Sequence, residues 1–151
     1  MSAPGGGCPK PADAEAAGNA NYDWALESLD GARSTFEQHR GKVVFVNLWA
    51  TWCGPCRAEM PSIQALHDEL KKEGVEFVIV SEEEPGVVKD FVSREGYSFP
   101  TFISKDTPRV FDSNAIPATF IVNKEGKIIH KHVGSTNWNH ESCRALIRSL
   151  L

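Results

Sequence analysis

Val43-Val44-Phe45-Val46-Asn47-Leu48-Trp49 runs through Ala50-Thr51 into Trp52-Cys53-Gly54-Pro55-Cys56. The first seven residues read as a buried strand, and after Cys56 the apolar residues Met60, Ile63, Leu66 and Leu70 recur at helical spacing. The two cysteines therefore fall where a strand ends and a helix begins. There the first cysteine meets free backbone N–H groups and the positive end of the helix dipole, both favouring thiolate. The second lies one turn on, within reach of a mixed disulfide formed by the first. A Cys-x-x-Cys pair beside a strand–helix–strand pattern reads as a nucleophile with its resolving partner. The plainer alternatives are half of a zinc site or a structural disulfide. A zinc knuckle needs a second Cys/His pair at short spacing, which the sequence does not supply.

With 151 residues, 41% hydrophobic and 24% charged, the chain can bury one core. Residues 1–20, rich in Gly, Pro and Ala without a hydrophobic period, read as a disordered tail or linker, and 21–151 as the domain. A formal charge of −4 gives no electrostatic reason to expect nucleic acid or an anionic membrane as partner. The five histidines share no ligand spacing, so no metal is expected. No apolar run reaches the length of a membrane-spanning helix, and Met1 to Gly7 holds no apolar signal-peptide core. Cys8, in Gly7-Cys8-Pro9, is either the lipid-bearing first residue of a processed lipoprotein or, more plainly, an incidental exposed thiol.

Tyr22 to Leu26 and the Leu29-Asp30-Gly31 turn point to a short hairpin or edge strand, and Ser34 is placed to cap a helical turn over Thr35 to His39. Val75 to Val80 reads as a second buried strand, parallel to the first through a right-handed crossover. Pro85 to Glu95 carries Val87, Val88, Phe91 and Val92 at helical spacing. Phe99 to Ser104 reads as a strand, with a short turn or helix over Pro108 to Asn114. Ala118 to Val122 and Lys127 to Lys131 flank Asn123-Lys124-Glu125-Gly126 as an antiparallel hairpin. Asn139 to Leu151 places Cys143, Leu146, Ile147 and Leu150 on one helical face, where Cys143 reads as a buried small hydrophobe. Glu82-Glu83-Glu84 reads first as a solvated acidic loop and second as a selector of substrates; Trp138 reads as packing.

Trp49-Ala50-Thr51-Trp52-Cys53-Gly54-Pro55-Cys56, then Pro61, then Ile116-Pro117-Ala118-Thr119-Phe120, resembles a thioredoxin, and more narrowly the TlpA/ResA group of extracytoplasmic thiol-disulfide oxidoreductases. The resemblance covers roughly residues 22–151. It implies an α/β thioredoxin fold: a central mixed sheet with helices on both faces, an N-terminal β-hairpin and a central helix–strand insert. It also implies a cis-proline facing the cysteines. Pro100 and Pro117 are both eligible; Pro117 is chosen because it alone runs straight into the two-stranded hairpin, and Pro100 goes to the insert.

Where thioredoxins bury an acid in the strand under the cysteines, this sequence has Asn47, which cannot take a proton. The ResA-like group carries a glutamate three residues after the second cysteine, here Glu59 in Cys56-Arg57-Ala58-Glu59-Met60-Pro61. Its plain reading is a favourable first-turn charge; the resemblance implies proton handling. The expected catalytic residues are thus Cys53, Cys56 and Glu59, with Trp52, Gly54, Pro55, Ile116 and Pro117 meeting substrate. The expected activity is reduction of protein disulfides by a monomer with no cofactor beyond its own redox-active disulfide. The resemblance implies a membrane thiol carrier as reductant, a place in the bacterial periplasm or at the extracytoplasmic face with a membrane anchor allowed for in the full-length protein, and cytochrome c maturation or disulfide repair downstream. A cytosolic thioredoxin, a thioredoxin-fold binding module or chaperone, and a peroxidase of the same broad fold are the rivals.

Overall fold

The computed structural model describes residues 7–14 and 16–151. Their strands are β1 (Ala25–Ser28), β2 (Arg33–Thr35), β3 (Val44–Leu48), β4 (Glu76–Ser81), β5 (Thr101–Ile103), β6 (Ala118–Val122) and β7 (Ile128–Val133). The α-helices are α1 (Gly54–Leu70), α2 (Pro85–Glu95) and α3 (Glu141–Arg148). The strands form one mixed sheet in the order β2-β1-β5-β4-β3-β6-β7, with β3 parallel to β4 and antiparallel to β6. Every residue of β3 is buried, as a central strand covered on both faces requires.

Alternation along β3 divides the core in two. Phe45 joins Met60, Ile63, Leu66 and Leu70 of α1, Val88, Phe91 and Val92 of α2, and Cys143, Leu146 and Ile147 of α3. Val44, Val46 and Leu48 face the other way, toward Trp24, Leu26, Phe36 and Phe111. All three α-helices thus lie on one face, not on both as the resemblance implies, because β3, β4 and β5 step the same way across the sheet and their right-handed crossovers carry α1 and α2 over the same side. The second face is covered by the N-terminal hairpin and by 3-10 turns at Phe36–His39 and Arg109–Phe111, where short segments supply aromatic side chains instead of an amphipathic helix. The hairpin's three-residue register would hold little by itself. Burial of Trp24, Leu26 and Phe36, each contributing about 1.5–3 kcal/mol, fixes it to the sheet.

The insert is α2 with β5. Pro85 opens α2, and Gly96 closes it at φ 74°, where Tyr97 N–H donates back to Val92 O in a turn that L side chains rarely adopt. β5 pairs parallel with β4 on one side and antiparallel with β1 on the other, so insert and hairpin extend the same edge.

Two further expectations are corrected here. Ser34 does not cap the 3-10 turn. Thr35 takes that position without a side-chain bond, while Ser34 Oγ accepts from Gln38 Nε2. The larger correction concerns the first twenty residues. Of these, 1–6 and 15 lie outside the described residues; the others are tied to the fold. Ala17 N–H donates to Ile128 O, Ile128 N–H to Gly18 O at 2.8 Å and Ala20 N–H to Gly126 O at 2.7 Å, so the segment lies along β7. Cys8 is bonded to Cys143, with Cα atoms 4.9 Å apart, and Cys8 N–H donates to Ser142 Oγ. Cys8 is therefore no exposed thiol, and Cys143 is buried as half of a disulfide. Backbone pairing and the covalent bond supply what the sequence's missing hydrophobic period does not.

Candidate active site

β3, β4 and β6 deliver their ends to one place. Leu48, at the end of β3, pairs with Val80 on one side and Ala118 on the other. The chain then turns, with Cys53 N–H donating to Ala50 O, and enters α1. Cys53 is the N-cap of α1, and its Sγ accepts from Cys56 N–H at 3.2 Å. That contact and the helix dipole favour negative charge on Cys53 once the bond to Cys56 opens. Cys53 and Cys56 form a disulfide with Cα atoms 5.2 Å apart. Cys56 is fully buried, and Cys53 retains 5% exposure.

The Ile116–Pro117 peptide bond is cis, as expected of Pro117, and it immediately precedes β6. The carbonyl oxygen of Ile116 lies 3.8 Å from Cys53 Sγ. Gly54 and Pro55 are exposed in the first turn of α1, and Trp52 stands 71% exposed. Beside them a cleft of about 240 Å³ is lined by Trp52, Ile116, Glu82, Glu83, Asp112 and Ser113, among others.

Glu59 lies on α1, one turn beyond Cys56, and is 1% exposed. Asn47 Nδ2 donates to its Oε2 at 2.9 Å, and Trp138 Nε1 donates to its Oε1 at 2.9 Å, with the Thr136 N–H at 3.4 Å. Burial pushes the Glu59 carboxyl up to about 7; the three donors act in the opposite sense. Asn47 also donates to Thr119 Oγ1, leaving its own Oδ1 without a protein partner. Glu59 is thus far from a solvated first-turn charge.

All eight residues singled out from the sequence come together at this corner of the sheet. Trp138, read from the sequence as packing, is fully buried and also donates to Glu59. The one hint was Asn47, a polar residue in an otherwise apolar central strand, which calls for buried partners. Glu83, read as part of a solvated run, is half-buried and accepts from Thr51 N–H at 2.8 Å and Thr51 Oγ1 at 2.6 Å.

A Redoxin family model matches residues 13–147. ResA, a thiol-disulfide oxidoreductase of Halalkalibacterium halodurans, is 39% identical over 122 residues, covering 78% of this chain and 69% of the relative. The ResA of Geobacillus thermodenitrificans is 36% identical over 118 residues, covering 76% and 68%. Among solved structures, a Chlorobium tepidum chain described as a thiol:disulfide interchange protein DsbE superposes with TM-score 0.77 at 26% identity, over 88% of this chain and 96% of that one. StoA of Bacillus subtilis superposes with TM-score 0.64 at 25% identity, over 76% and 89%. With a buried Cys-x-x-Cys disulfide at a helix start in a thioredoxin-type sheet, the chain belongs to the redoxin family and is a thiol-disulfide oxidoreductase.

Proposed function

We propose that the enzyme works as a reductase of protein disulfides, with Cys53 as nucleophile and Cys56 as resolving thiol. The observation that carries this division of labour is the N-cap contact: Cys53 Sγ accepts the Cys56 N–H and lies 3.8 Å from the carbonyl oxygen of Ile116, while Cys56 lies fully buried behind it. In the reduced enzyme the Cys53 thiolate attacks one sulfur of a substrate disulfide. A mixed disulfide forms, and the other substrate sulfur leaves as a thiolate that takes a proton from water. The Cys56 thiol then yields its proton to the Glu59 carboxylate and attacks Cys53 Sγ. The second substrate sulfur departs as a thiolate that takes a proton from water, two electrons have passed to the substrate, and the Cys53–Cys56 disulfide is restored.

Glu59 suits that step because its pKa near 7 lets it both accept and release a proton at neutral pH. The Asn47 amide donates to the carboxylate and, turned over, presents Oδ1 to the carboxylic acid. A nearby carboxylate also opposes thiolate. Stabilising the reduced form makes a thiol couple oxidising, so this environment favours the reducing direction.

The cleft of about 240 Å³ is below the usual size for a drug-like ligand and suits one or two side chains of an extended segment. The backbone of Ile116 beside Pro117 is placed to pair with that segment, between Trp52 and Cys53. Re-reduction requires an external dithiol, which we assign to a membrane thiol carrier; no bound cofactor enters the cycle. The Cys8–Cys143 disulfide supports an oxidising compartment, hence the bacterial periplasm or extracytoplasmic face, with cytochrome c maturation or disulfide repair downstream.

The test is a trap. Reduced Cys56→Ser protein mixed with insulin accumulates a mixed disulfide through Cys53, whereas wild type with dithiothreitol turns insulin over. An adduct through another cysteine, or none, overturns the assignment.

A further inference from the structure

The cysteine-bearing turn is fastened from outside. Cys53 N–H donates to Ala50 O at 3.2 Å, so Thr51 and Trp52 are the two middle residues of a turn that ends on the proposed nucleophile. Thr51 gives both its donors to one carboxylate, N–H to Glu83 Oε1 at 2.8 Å and Oγ1 to Glu83 Oε2 at 2.6 Å. That carboxylate is itself anchored: Ser81 Oγ donates to Glu83 Oε1 at 2.8 Å, and Glu83 N–H donates to Ser81 Oγ at 3.1 Å. Ser81 is 1% exposed and pairs with Ile103 as the last residue of β4. A rigid strand end therefore grips the turn through a two-pronged, charge-assisted contact.

We infer that Glu83 is a positioning residue, which sets the Ala50–Cys53 turn and so the angle at which Cys53 and Trp52 meet a substrate disulfide. The inference rests on Cys53 being the nucleophile. A negative charge this close to the turn works against thiolate, so electrostatics do not account for a carboxylate here. Its geometry does: two oxygens at fixed spacing match the N–H and the hydroxyl of one threonine. A glutamine offers a single acceptor oxygen and cannot reproduce that grip. A misplacement of about 1 Å at a reacting group can cost about a hundredfold in rate.

The test is a mutant cycle on the reduced enzyme, read as kcat/KM for insulin reduction and as the pKa of the Cys53 thiol, with melting temperature followed alongside. Thr51→Val and Glu83→Ala should each lower kcat/KM about tenfold, and the double variant should be no slower than either, because the two residues act as one contact. Thr51→Ser, which keeps both donors, should restore the rate. The thiol pKa should fall in Glu83→Ala, which loses a charge, and stay in place in Thr51→Val, which loses only the grip. Additive losses overturn the inference. So do a rate unchanged in Thr51→Val and a loss that merely tracks the unfolded fraction. Cys53→Ser separates the two levels: if insulin reduction survives it, the nucleophile assignment itself has failed; if it does not, the cycle speaks to Glu83 alone.

Discussion

Cys53–Cys56 spans a sequence separation of three residues and Cys8–Cys143 one of 135. Both belong to the same core, on the face of the sheet that carries α1, α2 and α3. Their surroundings separate them. Cys53 begins a helix, faces the Ile116 carbonyl beside a cleft that Trp52 and Ile116 line, and has a buried acid one turn behind its partner. Cys143 lies inside the last helix, and Cys8 is held beside it by a bond to Ser142. In the chain-entropy view the long loop contributes on the order of 5 kcal/mol and the short one under about 2 kcal/mol. The same covalent bond is a fastening in one place and a reagent in the other, according to loop length and neighbours.

The sharpest way to break this contrast is to remove one bond at a time. Cys53→Ser should take insulin reduction down to the uncatalysed level while leaving the fold intact. Cys8→Ser should leave turnover in place and lower the free energy of unfolding by about 2–5 kcal/mol, read from denaturant melts. A Cys8→Ser protein that is stable but inactive would place the second disulfide in the catalytic cycle.

Glu59 sharpens it next. Its carboxyl is raised from an ordinary 4.5 to about 7, so the fold favours the protonated form. The stability this lends is complete below pH 4.5 and lost as pH rises through about 7. At about 1.36 kcal/mol per unit the window is worth about 3 kcal/mol, and Glu59→Gln should flatten it. Insulin reduction by the variant should be slower and lack the rise near neutral pH, while the cysteine pKa values fall for want of the opposing charge. A wild-type melt that does not weaken between about pH 5 and about pH 8 would contradict the burial of this charge. Beyond the indole lie His130 and His132, which pack against Trp138; burial holds the His130 imidazole below its ordinary pKa, so it stays neutral over the upper part of this range.

The smallest effect is expected from Trp138→Phe. It deletes one donor to Glu59 Oε1 and keeps an aromatic ring in place. The Glu59 pKa should move further up, carrying the pH inflection of exchange with it, while turnover at high pH stays close to wild type. An inflection that moves down would mean that the indole N–H does not hold the carboxylate.

Much of this was readable from the chain because it is written locally. The strand–turn–helix around Cys53, the bounds of α2 from Pro85 to Glu95, and the hairpin over Asn123 to Gly126 each carry their signal within a few residues. The choice of Pro117 over Pro100 likewise followed from what comes next in sequence. Contacts across long separations were not readable. Cys8 and Cys143 carry no mark of pairing, since connectivity between distant cysteines does not follow from spacing. Trp138 reaches Glu59 across 79 residues, and Glu83 reaches Thr51 across 32; a tryptophan near a helix start and a run of three glutamates look ordinary until the sheet brings them home.

The bond between Cys8 and Cys143 also alters what a protease can achieve. All the strands and the first two α-helices lie inside the ring it closes. A single cut in any loop between residues 8 and 143 opens that ring without releasing a fragment, so a nicked molecule keeps its mass and its parts until it is reduced. A break in the backbone therefore becomes a scission of the molecule only where a thiol donor can reach this one bond.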